Sequence, residues 1–284
     1  MEKICLITGA NAGIGRAAAQ QLAALGHTVL LGCRDLSRGE AAAHEIRASV
    51  PNAKVSVLEI DMSLRASIER AAQAIPAIDV LIHNAAYFDV RAKTRLMTSE
   101  GVERTWATNY LGPALLTELL LDRLKRSISP RVVAVTSKGL VVHPNLQVDL
   151  DDLEFQRRPF RVDRAYYQSK LAHLAWMLSL SERHPELHVH GVRVTNVKID
   201  LERYPGLAWP LRAAYALKSM FSISPDAMAR TYTWLAADEA PGQTTGGYWD
   251  SVDRPASISK WAASAEHRAR LMAYTDNKVG SVSA

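Results

Sequence analysis

The sequence predicts an α/β fold, a doubly wound parallel sheet with helices on both faces. Three observations carry this. Short β-branched or apolar runs alternate with Ala/Leu-rich stretches along most of the chain, the rhythm of repeated strand–helix units. The runs are apolar nearly throughout rather than at every second residue, as strands covered on both faces should be. A glycine-rich turn follows the first run and opens the first helical stretch.

In chain order, residues 4–8 read as a strand and 14–25 as a helix, 28–33 as a strand and 39–49 as a helix, 54–60 as a strand and 66–75 as a helix. Strands follow at 80–83, 131–136 and 188–195, with helices over 101–125 and 165–183. Two stretches break the rhythm. Residues 138–164 carry Pro144, Pro159 and mixed charges and read mainly as a loop. Residues 202–224 carry Pro205, Gly206 and Pro210 among Tyr204, Trp209, Tyr215 and Phe221. Segments of that length are usually functional, and so many apolar groups point to a substrate lid. The tail after Lys278 is expected to be loose.

Composition narrows the function. Hydrophobic residues make up 48% and charged residues 22% of the 284 positions, which suits a globular core and rules out a disordered chain. A net charge of +5 without a Lys/Arg block of five or more argues against nucleic acid and suits an anionic cofactor. Cys5 and Cys33 lie inside apolar runs, so they read as small buried hydrophobes, with no disulfide framework and no CxxC pair. A strand-like run starts at Ile4, and no signal peptide or stable membrane anchor is expected. The reading is cytoplasmic. Of the nine histidines, His184 and His188 show an HxxxH spacing, but Pro185 breaks the helix that would align them. With His190 they read as surface or satisfied side chains, and no metal is expected.

The nucleotide end is built from Gly9, Asn11, Ala12, Gly13, Ile14 and Gly15 in the turn after the first strand. Glycines allow backbone to approach a pyrophosphate, and the helix start offers free N–H groups to it. The second strand ends Gly32-Cys33-Arg34-Asp35. An acidic residue there would bind a ribose 2′-hydroxyl, whereas an arginine accepts a 2′-phosphate. Arg34, joined by Arg16 and Arg38, therefore favours NADP over NAD. Against this, Arg34 would be a solvated turn residue and Asp35 a helix cap. Asp61 and Met62 close the third strand, where an adenine could sit, though Asp61 reads equally well as a cap. Asn84, Ala85 and Ala86 close the fourth.

The chemical end centres on Tyr166 and Lys170, four residues apart in a helical stretch and so on one face. An ammonium near a phenol stabilises the phenolate. Tyr167 is the rival phenol. Ser137 ends the fifth strand, with Thr136 as the rival hydroxyl. Asn109 is a polar residue inside the long helix, able to bend it, hold a water or sit at the surface.

Together these residues resemble the short-chain dehydrogenase/reductase family over residues 3 to about 198. Thr8–Gly15 looks like its TGxxxGxG motif. Asn84-Ala85-Ala86 looks like its NNAG, with His83 and Ala86 as departures. Asn109, Ser137, Tyr166 and Lys170 match its catalytic tetrad. Gly32–Asp35, the run Tyr166–Ala172 and the long spacer from Ser137 to Tyr166 resemble the retinol dehydrogenase and protochlorophyllide reductase branch. They are also similar to bacterial ketoreductases that tailor aromatic polyketides. Many relatives of that branch carry a membrane anchor, and most use NADP(H).

The resemblance implies one Rossmann-type dinucleotide-binding and catalytic domain over 1–284, three-layer α/β/α, with strand order 3-2-1-4-5-6-7 and a seventh strand near residues 247–250. It implies NADP-dependent reduction of a small-molecule carbonyl, or its reverse, by a monomer or homo-oligomer. Tyr166 would protonate the alkoxide, Ser137 hold that oxygen, Lys170 lower the tyrosine's pKa and bind the nicotinamide ribose, and Asn109 anchor a water. The alternatives are an NAD-linked alcohol dehydrogenase of the same fold and a non-catalytic NADP-binding sensor or scaffold. The family's PGxxxT segment is replaced by Val194–Asp200, so the backbone around Val197 is left to hold the nicotinamide amide.

Overall fold

The structure, a computed structural model, describes residues 1–197 and 222–280. Its strands are β1 (Ile4–Thr8), β2 (Thr28–Cys33), β3 (Val55–Glu59), β4 (Val80–His83), β5 (Arg131–Ser137), β6 (His188–Val194), β7 (Gly247–Ser251) and β8 (Arg254–Pro255). They form one sheet in the order β3-β2-β1-β4-β5-β6-β7-β8. All neighbours are parallel except β7 and β8. The expected order holds, and the two-residue β8 adds an antiparallel edge that its Arg-Pro sequence did not signal.

Alternation along the buried strands divides the core into two layers. Leu6, Leu81, Val132 and Ala134 face one cluster; Cys5, Ile7, Val80, Ile82, Val133 and Val135 face the other. The first layer is closed by α3 (Arg65–Gln73), α5 (Gly112–Lys125), α6 (Val162–Arg183) and α9 (Ala265–Val279), and the second by α1 (Gly13–Ala24), α2 (Leu36–Ser49) and α7 (Pro225–Ala237). α4 (Arg104–Trp106) and α8 (Lys260–Ala263) are short turns at the margins. Helices on both faces explain why the central strands β1, β2, β4 and β5 read as nearly continuous apolar runs. The chain reverses its direction of travel across the sheet between β1 and β4, opening a crevice at the strands' carboxyl ends where such sheets bind ligands.

The helix expected over 101–125 is not continuous. It begins at Arg104, passes through a π-helical segment at Ala107–Leu111 that contains Asn109, and resumes at Gly112. Gly112 is required there, since a Cβ would come within 2.2 Å of the Met62 carbonyl oxygen. The expected loop after Ser137 starts with a 3-10 turn over Lys138–Val142 and ends when α6 begins at Val162. At the other end of the chain, α9 continues to Val279. The lid expected at 202–224 lies, up to residue 221, outside the described residues. Of the described residues on either side, Val197 bridges Ile223, and the Ile223 amide donates to the Asn196 carbonyl at 3.0 Å. Among the described residues, no helix is long and apolar enough to cross a membrane.

Candidate active site

The turn between β1 and α1 has the shape an anionic dinucleotide needs. Gly9 and Gly13 have φ of +68° and +59°, values that disfavour side chains. A Cβ on Gly9 would lie 2.9 Å from the Ala85 Cα, and one on Gly15 would lie 2.5 Å from the Asn84 Nδ2. Ala12 caps α1 without a side-chain bond, so the first N–H groups of the helix are left for a ligand. Asn84 holds the cradle to β4. Its Nδ2 donates to the carbonyls of Thr8 (2.9 Å) and Gly9 (3.2 Å), while the Thr8 hydroxyl accepts from the amides of Asn84 and Ala85. Tyr232 of α7 donates to the Asn84 Oδ1 at 3.4 Å. The roles of Thr8 and Tyr232 were not readable from sequence, since Tyr232 arrives from nearly 150 residues away.

At the end of β2, burial pushes the Cys33 thiol up to about 11, with the amides of Ala10 and Asn11 acting against that rise. It stays protonated and braces the turn. Each expected phosphate-binding arginine sits beside a carboxylate. Arg34 lies 4.0 Å from Asp61, Arg38 lies 3.6 Å from Asp35, and Arg16 pairs with Glu45. Asp35 caps α2, accepting from the Arg38 amide at 3.1 Å. Asp61 also caps, but a turn rather than a helix: its Oδ1 accepts from the Ser63 amide and hydroxyl, leaving Oδ2 toward Arg34. Met62 is buried in the adjacent core, Ile14 is half-buried, and Ala86 is exposed.

The chemical end converges on the carboxyl edge of β5. The Ser137 hydroxyl, which accepts from the Gly139 amide at 3.1 Å, sits beside the Tyr166 phenol, where it favours the phenolate against the effect of burial. The Lys170 ammonium, fully enclosed, lies 6.0 Å from the Tyr166 ring centre and donates to the Val135 carbonyl at 2.8 Å. Burial pushes Tyr166 up to about 12 and Lys170 down to about 8. Desolvation is the largest influence on Tyr166, and the ammonium is held in place by the Val135 carbonyl.

The rivals are turned elsewhere. Thr136 bonds the Val192 carbonyl and the Tyr248 hydroxyl in the core. Tyr167 stacks toward His143, ring centres 4.6 Å apart, and lines a cavity of about 700 Å³ whose walls do not include Tyr166 or Lys170.

Asn109 is wholly buried rather than at the surface. Its Oδ1 accepts from the Tyr87 amide at 2.7 Å, and its Nδ2 donates to the Tyr87 carbonyl (3.1 Å) and the Ser169 hydroxyl (3.0 Å). It ties the segment after β4 to the helix bearing Tyr166. That tie places Phe88, 40% exposed, against Tyr166 with ring centres 4.5 Å apart. Phe88 was missed because nothing in its local sequence distinguishes it from any loop aromatic. The surface or satisfied reading of the histidines holds for His184, His188 and His190, which pair with Glu186, the Thr244 carbonyl and the Pro241 carbonyl.

The family model described as short chain dehydrogenase matches residues 3–148. The chain is 34% identical to "Retinol dehydrogenase 13" of Homo sapiens over 98% of its length and 85% of that protein's. It is 40% identical to "Retinol dehydrogenase 12" of Mus musculus over 89% and 78%. Among solved structures, an uncharacterised protein from Mycobacterium Paratuberculosis superposes with a TM-score of 0.75 at 28% identity, covering 98% of this chain and 93% of that one. Two more distant structures share the fold. A metagenomic short-chain oxidoreductase in complex with NADP has a TM-score of 0.62 at 21% identity, covering 90% and 97% of the two chains. A 3-ketoacyl-(acyl-carrier-protein) reductase from Brucella melitensis complexed with NADH has 0.63 at 20%, covering 87% and 96%. With the sheet order, the glycine cradle and the Ser137–Tyr166–Lys170 cluster in place, these matches make the chain an oxidoreductase of the short-chain dehydrogenase/reductase family, in the branch that holds the retinol dehydrogenases.

Proposed function

We propose that the protein reduces a carbonyl on a large apolar or aromatic small molecule, using NADPH. The observation that carries the reading is the grouping of Ser137, Tyr166 and the enclosed Lys170 at the carboxyl edge of the sheet, with the ammonium 6.0 Å from the Tyr166 ring centre. When bound, a nicotinamide dinucleotide supplies the hydride. Gly9, Asn11, Ala12, Gly13, Ile14 and Gly15 would hold its pyrophosphate, Asp61 and Met62 its adenine side, and Asn84, Ala85, Ala86 and Val197 its nicotinamide side. A phenol pushed up to about 12 keeps its proton at neutral pH, so Tyr166 is set to donate it to the substrate oxygen. Ser137 orients that oxygen by a second hydrogen bond. As the proton leaves, negative charge grows on the phenol one helical turn from the Lys170 ammonium, which favours it electrostatically. Asn109 acts by holding the Tyr87–Phe88 segment and, through the Ser169 hydroxyl, the backbone at Tyr166 in register.

Exposed apolar side chains near this edge support the substrate class: Phe88 at 40%, Val141 at 49%, Val142 at 72% and Ile223 at 39%. Arg34, exposed and next to Cys33, supports the 2′-phosphate assignment, with Arg38 four residues on. A second reading, NAD-linked alcohol oxidation, is favoured by the carboxylates already standing beside all three arginines. Cofactor titration separates the two. Arg34→Ala should weaken NADPH binding about ten-fold, or about 1.4 kcal/mol, and leave NADH binding nearly unchanged. Equal losses for both cofactors refute the NADPH assignment. Free, buried Cys5 and Cys33 fit a reducing, cytoplasmic setting.

A further inference from the structure

Behind Lys170, on the side away from Tyr166, lies a polar group that the chemistry above does not use. His83 ends β4, and its register partner is Ala134, the residue before the Val135 that holds the lysine. His173 stands three residues beyond Lys170 on α6, on the same helical face. Both imidazoles are 1% exposed. Their ring centres are 5.9 Å apart in an edge-on arrangement, and Trp176 walls both, at 5.7 Å from His83 and 5.3 Å from His173.

Only one of the four ring nitrogens is paired among the described residues. The His83 Nε2 meets the Thr117 hydroxyl at 2.7 Å. The His83 Nδ1 and both nitrogens of His173 have no protein partner. An imidazole always presents a donor or an acceptor at each nitrogen, and buried polar groups in folded proteins are almost all satisfied, by ordered water where protein does not serve. Three open nitrogens meet the two to four partners such a water requires, and the Lys170 charge is near enough to bear on both rings. The electrostatics agree. Burial drives both rings neutral, and Lys170 is the charged group that bears on each, with His83 also bearing on His173. Thr117 from α5 and the Val135 carbonyl from β5 complete the polar surroundings.

We propose that His83 and His173 enclose a buried hydration site behind Lys170, and that water held between the two rings and the ammonium fixes the lysine in place and stabilises its charge. His83 and His173 are then positioning residues, acting on the proton donor through Lys170. The inference about the lysine's role rests on the carbonyl-reductase reading; the hydration site itself does not.

Two measurements on the full chain test it. A crystal structure at a resolution that shows ordered solvent should place at least one water bonded to His173 and shared with His83 or Lys170. Rings bonded to each other or to protein groups, with no water between them, would overturn the proposal whatever the enzyme's activity. The second measurement is the pH profile of kcat/KM for NADPH-driven carbonyl reduction. His173→Leu removes the polar lining, so the ammonium loses support and gives up its proton at lower pH. The alkaline limb should move down by about one pH unit, a ten-fold change in proton affinity, and His173→Asn should restore part of the shift. Superimposable profiles for wild type and His173→Leu would overturn the positioning role. If His173→Leu does not fold, His83→Leu reads the same limb; if neither folds, the solvent structure of the wild type decides. Absence of any carbonyl-dependent turnover in wild type would instead refute the reductase reading and leave the crystallographic result standing on its own.

Discussion

Replacing Asn109 with alanine should cost the protein both stability and turnover, and the size follows from its bonds. The side chain is wholly buried and makes three hydrogen bonds, at 2.7 and 3.1 Å to the two backbone groups of Tyr87 and at 3.0 Å to Ser169. Tyr87 is half-buried, so water can reach its amide and carbonyl in part. Ser169 keeps its own donation to the Tyr166 carbonyl at 2.7 Å. With partial rescue at Tyr87 and a small cavity left by the amide, the loss should be about 2–4 kcal/mol, since each buried group left unpaired costs about 1–3 kcal/mol. Urea unfolding followed by fluorescence should show a lower midpoint with an unchanged slope. Freed from Asn109, the Tyr87–Phe88 segment should no longer hold Phe88 against Tyr166, so kcat for carbonyl reduction should fall at least ten-fold at saturating cofactor. A loss below about 0.5 kcal/mol with unchanged kcat would refute the view that Asn109 organises this site.

Gly15→Ala would drive a methyl group to 2.5 Å from the Asn84 amide nitrogen and 2.8 Å from the Gly9 carbonyl oxygen; dinucleotide binding should drop by at least ten-fold, measured by fluorescence titration, and retained affinity would show that the cradle is looser than drawn. Lys170 is held at about 8 against its ordinary 10.5, so between those values the unfolded chain binds the proton that the folded chain has released. Stability relative to Lys170→Met should therefore rise with pH across that window, with the burial penalty fully present below about 8. A stability difference that is flat or falls from pH 8 to 10.5 would contradict the enclosed ammonium.

Most of the fold was legible because strands buried on both faces leave uninterrupted apolar runs, and helix caps such as Asp35 mark their ends. The π-helical segment was not: Ala107–Leu111 has helical composition, and the tie from Asn109 to a loop more than twenty residues earlier is set by tertiary packing. β8 was invisible because two residues carry no periodicity. In the site, spacing put Tyr166 and Lys170 on one face and the strand end offered Ser137, but the choice of Ser137 over Thr136 became physical only when Thr136 was seen committed to Val192 and Tyr248. The environment of Lys170 could not be read at all. Its carbonyl partner, its distance from the phenol and the imidazoles behind it are set by how α6 packs on β4 and β5.

The central claim is that Tyr166, aligned by Ser137, protonates a carbonyl oxygen during NADPH-driven reduction. The most direct measurement is substrate-dependent NADPH oxidation over apolar ketones, aldehydes and polycyclic quinones, run in parallel for wild type, Tyr166→Phe and Tyr167→Phe. The account predicts turnover of at least one such carbonyl by wild type, a loss of about a hundred-fold or more in Tyr166→Phe with NADPH affinity retained, and little change in Tyr167→Phe. Undiminished turnover in Tyr166→Phe, or a collapse confined to Tyr167→Phe, would contradict it.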